Sequence, residues 1–361
     1  MPPAPREWDA AAARATVAGG GRRRSPPTRP RRRRGRTTAV GRAGAARPWE
    51  HLTRARAAEL PVSETVRVSE EVGAALTDGR PVVALETTLV AHGFPSGEGV
   101  AVAVESERRV RTAGGVPATI GVLDGQIRVG LAERELERFD ASARKVGPRD
   151  LAAAAVQHAV GATTVGGTLA VCRSVGIRFL GTGGLGGVHR RFAARPDVSA
   201  DLGELARTPV LVACSGVKSL LDVPATVELL EALGVPLLGW RTDTLPLFYR
   251  AQGGPPVPTR VETADEAASL ARVHWDLGRA GVVLAQPPLD SVEDVEALIE
   301  RALAAADAAG VTGGAVTPFV LAHLHRESGG RTLEVNRRLV VENAGLAAAV
   351  AVADADADRG R

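Results

Sequence analysis

Lysine is almost missing from this chain. Of 45 basic residues in 361, 43 are arginine, and only Lys145 and Lys218 are lysine. Cysteine is nearly as scarce. Cys172 and Cys214 both lie in apolar stretches, so they read as small buried hydrophobes in a reducing compartment, not as a disulfide framework or a metal site. Aromatics make up 3%. No apolar run approaches the roughly 20 residues that a membrane span needs, and the N-terminus lacks a short apolar segment with a cleavage site. The expected setting is the cytoplasm, with no membrane partner.

A one-signed surface is missing too, once the charge is divided along the chain. Residues 1–60 hold 15 Arg against Glu7, Asp9, Glu50 and Glu59. That is a net of +11, against +4 for the whole chain, so the remainder is acidic. An acidic body gives no electrostatic footprint for nucleic acid. The Arg-rich segment, broken by Pro, Gly and Ala, cannot bury enough apolar surface to fold. We expect a disordered segment at 1–60, one catalytic domain at 61–355 and a frayed tail at 356–361.

Within the body, short apolar runs alternate with helical stretches. Val82–Leu85, Ile177–Leu180, Val210–Ala213, Pro236–Trp240 and Gly281–Ala285 read as buried strands. Ala118–Leu123 and Gln126–Val129 flank Asp124-Gly125, a two-residue hairpin turn. Helices are expected from about Val100 to Gly114, at Asp150–Val160, Thr168–Val175 and Val223–Leu233, and from a capping box at Thr263–Glu266 to about Leu277. Others start at Ser291, at Thr317-Pro318 and at Thr332, the last running to about Val352. Wholly apolar strands separated by helices predict an α/β fold with a mostly parallel sheet covered on both faces.

Ligands of such sheets sit beyond the carboxyl ends of the strands, and four segments place reactive groups there. Glu86 follows four apolar residues; it suits either an ion pair or a partly buried proton donor. Gly181, Gly183 and Gly186 satisfy a dinucleotide-type glycine pattern. No long helix follows it, so an anion cradle with His189 and Arg190 fits better. Ser199 and Asp201 stand where a helix begins, and Asp197 precedes them, placed to hold a hard dication. Lys218 ends an apolar run. Arginine stays charged in a protein, whereas a desolvated lysine can lose its proton and attack carbon. At the ordinary lysine pKa of ~10.4 only about 0.04% is neutral at pH 7; lowering it to ~7–8 multiplies that fraction roughly 200- to 1,000-fold. Burial could do this, as could Lys145 as a neighbouring cation. Ser215 and Lys218 also spell S-x-x-K, but the partner motifs of acyl enzymes are absent.

Taken in order, Ala84-Leu85-Glu86-Thr87-Thr88 with His92-Gly93, Gly181 to Arg190, Asp197 to Leu202 and Gly216-Val217-Lys218-Ser219 resemble the pseudouridine-5′-phosphate glycosidases, over about Val62 to Val352. The resemblance implies a three-layer α/β/α sandwich, a homotrimer and one Mn²⁺ per subunit. It also implies reversible cleavage of pseudouridine 5′-phosphate to uracil and ribose 5-phosphate. It makes Glu86 the proton donor, Lys218 the covalent nucleophile and Asp197 the metal ligand. Lys145, Val165, Thr182, His189, Ser199, Ala200, Asp201 and Asn336 then bind substrate, Asn336 near the base. Three stretches depart from the pattern: Gln286-Pro287, Gly314-Ala315 and Ser96–Gly99. Residues alone leave open a Schiff-base aldolase or lyase acting on another sugar phosphate.

Overall fold

The computed structural model describes residues 65–359 apart from positions 96, 191, 194 and 195, and among the described residues thirteen strands and twelve α-helices follow one another. The Arg-rich segment at 1–60 lies outside the described residues. The first half comprises β1 (Val66–Val68), α1 (Glu70–Thr77), β2 (Val82–Glu86), α2 (Thr88–His92), α3 (Glu98–Thr112), β3 (Val116–Leu123) and β4 (Gln126–Val129). Then come α4 (Glu133–Leu136), β5 (Arg144–Val146), α5 (Leu151–Val156), β6 (Gly161–Thr163), α6 (Val165–Val175) and β7 (Phe179–Gly181). The second half holds β8 (Val188–His189), α7 (Ala200–Leu205), β9 (Leu211–Cys214), β10 (Leu221–Asp222), α8 (Val223–Ala232) and β11 (Leu237–Trp240). It closes with β12 (Thr259–Val261), α9 (Ala264–Asp276), β13 (Val282–Ala285), α10 (Val295–Ala308), α11 (Val316–Glu327) and α12 (Arg331–Arg359).

Eleven strands form one sheet in the order β1-β4-β3-β2-β7-β9-β13-β11-β12, with β6 paired to β3 and β5 to β6. From β3 to β12 every neighbouring pair along this order is parallel. The register sets Leu85 beside Gly181 and Gly181 beside Ala213. Glu86, Thr182 and the Ser215–Lys218 turn therefore emerge at one edge of the sheet. Both faces are covered, as the unbroken apolar strands require. Val83 and Leu85 pack with Val110, Trp275 and Ala344 on one side. Val82 and Ala84 belong with Leu169, Leu205 and Ile299 on the other. The fold is a three-layer α/β/α arrangement.

The hairpin lies where Asp124-Gly125 places it, with φ of 53° and 79° at these two residues. Four helices differ from expectation. The one expected from Thr168 already begins at Val165, because the Thr164 side chain caps it by accepting from Gly167 N. The helix expected at Asp150–Val160 stops at Val156, because Val160 O accepts from Arg144 N (2.8 Å) and draws the chain into β6. The helix expected from Ser291 begins at Val295. Ser291 Oγ instead accepts from Ala251 N (3.1 Å), and Val292 N donates to Tyr249 O (2.9 Å). The last helix does not fray after Val352 but continues to Arg359. Arg272 of α9 pairs with Asp354 (2.6 Å) and Asp358 (3.6 Å), and Arg359 with Asp356 (2.8 Å). The acidic tail is thereby pinned.

Candidate functional site

Beyond the carboxyl edge lies a cleft of about 300 Å³ whose wall includes Lys145, Lys218, His189, Asp197 and Ser199 to Asp201. A second hollow of about 430 Å³ shares His189, Asp197 and Gly313 with it. The two lysines, nearly 75 positions apart in sequence, thus face one space. Lys145 is carried by β5, a three-residue strand too short to show any periodicity. Burial lowers the Lys145 pKa, and the charge of Lys218 lowers it further. Its Nζ is 3.5 Å from Gly314 O. Lys218 is half-buried, and among the described residues its Nζ has no hydrogen-bond or ion-pair partner.

The turn that presents Lys218 is tightly built. Gly216 has φ of 79°, and a Cβ there would fall 2.1 Å from Pro246 O. Lys218 N donates to Leu185 O (3.1 Å), and Leu221 N donates to Lys218 O (2.9 Å). The backbone of the nucleophile candidate is therefore fixed while its amine is left open to the cleft.

Glu86 ends β2 with only 5% of its surface exposed. Its carboxylate accepts a hydrogen bond from the Thr182 hydroxyl. Burial pushes its pKa above the ordinary carboxylate range, against the opposing pull of Lys218 and of the Thr182 hydroxyl. Lys145 and Asp201 are also near enough for their charges to act on it. A carboxyl so placed holds its proton more readily than an exposed one.

Asp201 is buried, and its two oxygens are already taken. Oδ1 accepts from Gly166 N at the start of α6 (2.8 Å) and Oδ2 from Gly186 N in the glycine loop (3.0 Å). A Cβ on Gly186 would lie 2.3 Å from Ser199 Oγ, so only glycine fits that approach. Ser199 caps α7, its Oγ accepting from Asp201 N (3.3 Å), as the sequence pattern implies. Val165 is the buried first residue of α6. Thr182, a substrate-binding residue by the family resemblance, is fully buried with its hydroxyl on Glu86.

His189 Nε2 stands 3.8 Å from Asp197 Oδ2. Burial lowers the His189 pKa, offset by the Asp197 charge. Arg190, paired in sequence reasoning with His189 as an anion ligand, is instead committed elsewhere. It binds Glu296 (2.7 Å), Glu300 and Ser219 O (2.7 Å). Among the described residues no cluster of three or more His, Cys, Asp or Glu is set to hold a metal. Asp197, its side chain 37% exposed, is a lone carboxylate on the cleft wall. That donor set fits a hard dication that keeps most of its waters.

Asn336 is buried on α12. Its Nδ2 donates to Gly93 O (3.2 Å), and its Oδ1 has no partner among the described residues. Of the departures from the family pattern, Gly314 lies on the cleft wall beside Lys145. Gln286 N donates to Cys214 O (2.8 Å), and position 96 is outside the described residues. One residue escaped the sequence reading. Asn343 is fully buried on α12, yet its Nδ2 donates to Thr182 O (2.8 Å). Its signal was an amide placed between Val340-Val341 and Ala344.

The chain is similar to several known proteins. The family model described as indigoidine synthase A like protein matches residues 71–353. The pseudouridine-5′-phosphate glycosidase of Chloroflexus aurantiacus is 47% identical over 296 residues, 79% of this chain and 97% of that one. The Salinispora tropica enzyme of the same name is 49% identical over 294 residues, 79% of this chain and 90% of that one. Among solved structures, the prealnumycin C-glycosynthase AlnA in complex with ribulose 5-phosphate has a TM-score of 0.75 at 38% identity, covering 82% of this chain and 99% of that one. An indigoidine synthase A-like protein from Thermotoga maritima has a TM-score of 0.71 at 35% identity, covering 80% and 95%. The chain belongs to the pseudouridine-5′-phosphate glycosidase family, the group described by the indigoidine synthase A like model.

Proposed function

We propose that this enzyme reversibly cleaves the C–C glycosidic bond of pseudouridine 5′-phosphate to give uracil and ribose 5-phosphate, through a Schiff base on Lys218. The observation that carries this reading is an unpaired amine, Lys218, within electrostatic reach of a buried carboxyl, Glu86, whose pKa burial raises. Family membership supplies the substrate class.

A C–C glycoside has no heteroatom leaving group, so the two-carboxylate scheme of ordinary glycosidases has nothing to protonate. Ring opening offers another route. Glu86 gives its proton to the ribose ring oxygen and the C1′–O bond breaks, with uracil releasing electrons towards C1′. The Lys218 amine bonds to C1′ and gives up a proton. Protonation of C5 of the base then lets the C1′–C5 bond break, its electrons going to the base as nitrogen forms the C=N bond. Water adds to the Schiff base, releasing ribose 5-phosphate and the free amine.

The remaining residues bind and orient. Lys145, His189, Ser199 and Ala200 face the cleft and are assigned the phosphate end of the substrate, where its binding energy holds C1′ against Lys218. The buried, unpartnered Oδ1 of Asn336 is assigned as an acceptor for a uracil N–H, and Val165, buried at the start of α6, is assigned to the apolar surround. Asp197 is assigned Mn²⁺. Bound there, the ion would neutralise phosphate charge and orient it through its waters. Asp201 shapes the cleft through the two N–H groups it holds. The cytoplasm and a homotrimer complete the reading.

Incubating the protein with uracil and ribose 5-phosphate tests the function. Formation of pseudouridine 5′-phosphate supports it. Aldol products alone would instead establish a lyase acting on another sugar phosphate.

A further inference from the structure

The buried face of α12 carries an amide among apolar residues. Asn343 is fully buried, next to Ala344 and one turn beyond Leu339 and Val340. A buried carboxamide is costly unless its donors and acceptor are matched. Here they are matched. Nδ2 donates to Thr182 O (2.8 Å) and lies 3.3 Å from Gly183 O and 3.1 Å from Ser215 Oγ. Oδ1 accepts from Ser215 Oγ (3.4 Å).

These partners lie on two different segments. Thr182 follows β7 and carries the hydroxyl that binds Glu86. Ser215 follows β9 and opens the turn that ends at Lys218. The segments touch directly as well, Thr182 N donating to Ala213 O (3.0 Å) and Ser215 N to Gly183 O (2.9 Å). Asn343 sits over this junction and grips both sides. Its side-chain hydrogen bonds go to neither Glu86 nor Lys218.

We infer that Asn343 is a positioning residue, whose carboxamide sets the Thr182 hydroxyl on Glu86 and holds that loop in register with the turn presenting Lys218. This inference rests on the glycosidase reading for its kinetics, though not for its geometry. Without the carboxamide, Thr182 O loses its donor and the loop relaxes. The acid and the amine then meet the sugar out of alignment. Misplacement of about 1 Å is enough to cost on the order of 100-fold in rate. Such a loss falls on kcat, because the groups that bind the phosphate lie elsewhere in the cleft.

The test uses Asn343→Leu, Asn343→Ala and Ser215→Ala in the full chain, with thermal unfolding of each as a control for folding. Two quantities are read: steady-state kinetics on pseudouridine 5′-phosphate, and the titration midpoint of the Glu86 carboxyl by ¹³C NMR, assigned with Glu86→Gln. The expected result for the Asn343 variants is a kcat lowered about 10- to 100-fold with KM within about threefold. The Glu86 midpoint moves up as the Thr182 donor drifts away. Ser215→Ala, which removes one of the partners, moves both quantities the same way by less, and decides the matter if the Asn343 variants do not fold. A folded variant that keeps wild-type kcat and midpoint overturns the inference, as does a Ser215→Ala protein identical to wild type. A wild-type protein with no turnover would overturn the glycosidase reading instead, and the carboxyl titration would still judge Asn343.

Discussion

The hydroxyl of Thr182 donates to the carboxyl of Glu86, and both side chains are buried. The bond runs between adjacent parallel strands, from the residue after β7 to the last residue of β2. It works against the burial that raises the Glu86 pKa, so the hydroxyl tunes how firmly the acid keeps its proton.

Thr182→Val deletes that donor while preserving shape. The Glu86 pKa then rises further. In the proposed mechanism the protonated form acts, so the basic limb of the kcat–pH profile moves to higher pH. The profile measured on pseudouridine 5′-phosphate checks this, and an unmoved limb contradicts it. Glu86→Gln removes the acid altogether, and a loss on the order of 10²- to 10⁴-fold is expected in kcat.

The same shift makes a stability statement. The folded-state pKa of Glu86 is raised, so its contribution is fully present below the unfolded carboxylate value and is lost as pH rises through the folded one. Glu86→Gln does not titrate. The difference in Tm, variant minus wild type, should therefore grow as pH is raised from the unfolded carboxylate value towards the raised folded one. A flat difference across that range contradicts the assignment.

Asp201 was read from sequence as a substrate ligand and helix-start residue, and the structure gives its carboxylate two backbone N–H groups to hold. Asp201→Asn turns one acceptor into a donor facing an N–H. The expected cost is about 1–3 kcal/mol of stability, read as a lower Tm, together with a weaker cleft. Equal stability would show that the two bonds contribute nothing.

For the metal, a chelator should depress turnover and added Mn²⁺ should restore it, while Asp197→Ala should respond to neither. Indifference of the wild-type enzyme to chelation would remove Asp197 from this role.

Much of this was legible in the sequence because the signals are local. The apolar runs ending at Glu86 and leading towards Lys218 fix strands, and the Asp124-Gly125 turn fixes a hairpin. The scarcity of lysine singled out Lys145 and Lys218 before any contact was known. What stayed hidden depends on tertiary pairing. β5 and β6 are three residues each and exist by pairing with one another, with β6 also pairing to β3. Arg190 looked free for an anion, yet Glu296 and Glu300 of α10, more than 100 positions away, claim it. The length of α12 depends on an arginine in another helix. Thr182 and Asn343 take their meaning from partners that spacing along the chain cannot reveal.

The two lysines separate the chemistry from the electrostatics. Lys218→Arg keeps the charge and should abolish turnover, since guanidinium cannot form a Schiff base. Lys145→Arg keeps a cation near the phosphate end and should retain part of the activity. Wild-type kcat in Lys218→Arg would end the covalent role.

Borohydride reduction of the protein in the presence of ribose 5-phosphate, followed by peptide mapping, reaches the centre of the account. The adduct is expected on Lys218 and on no other amine. A stable sugar adduct on Lys145 alone, the lysine whose pKa burial has lowered, or no adduct on any lysine, would contradict it.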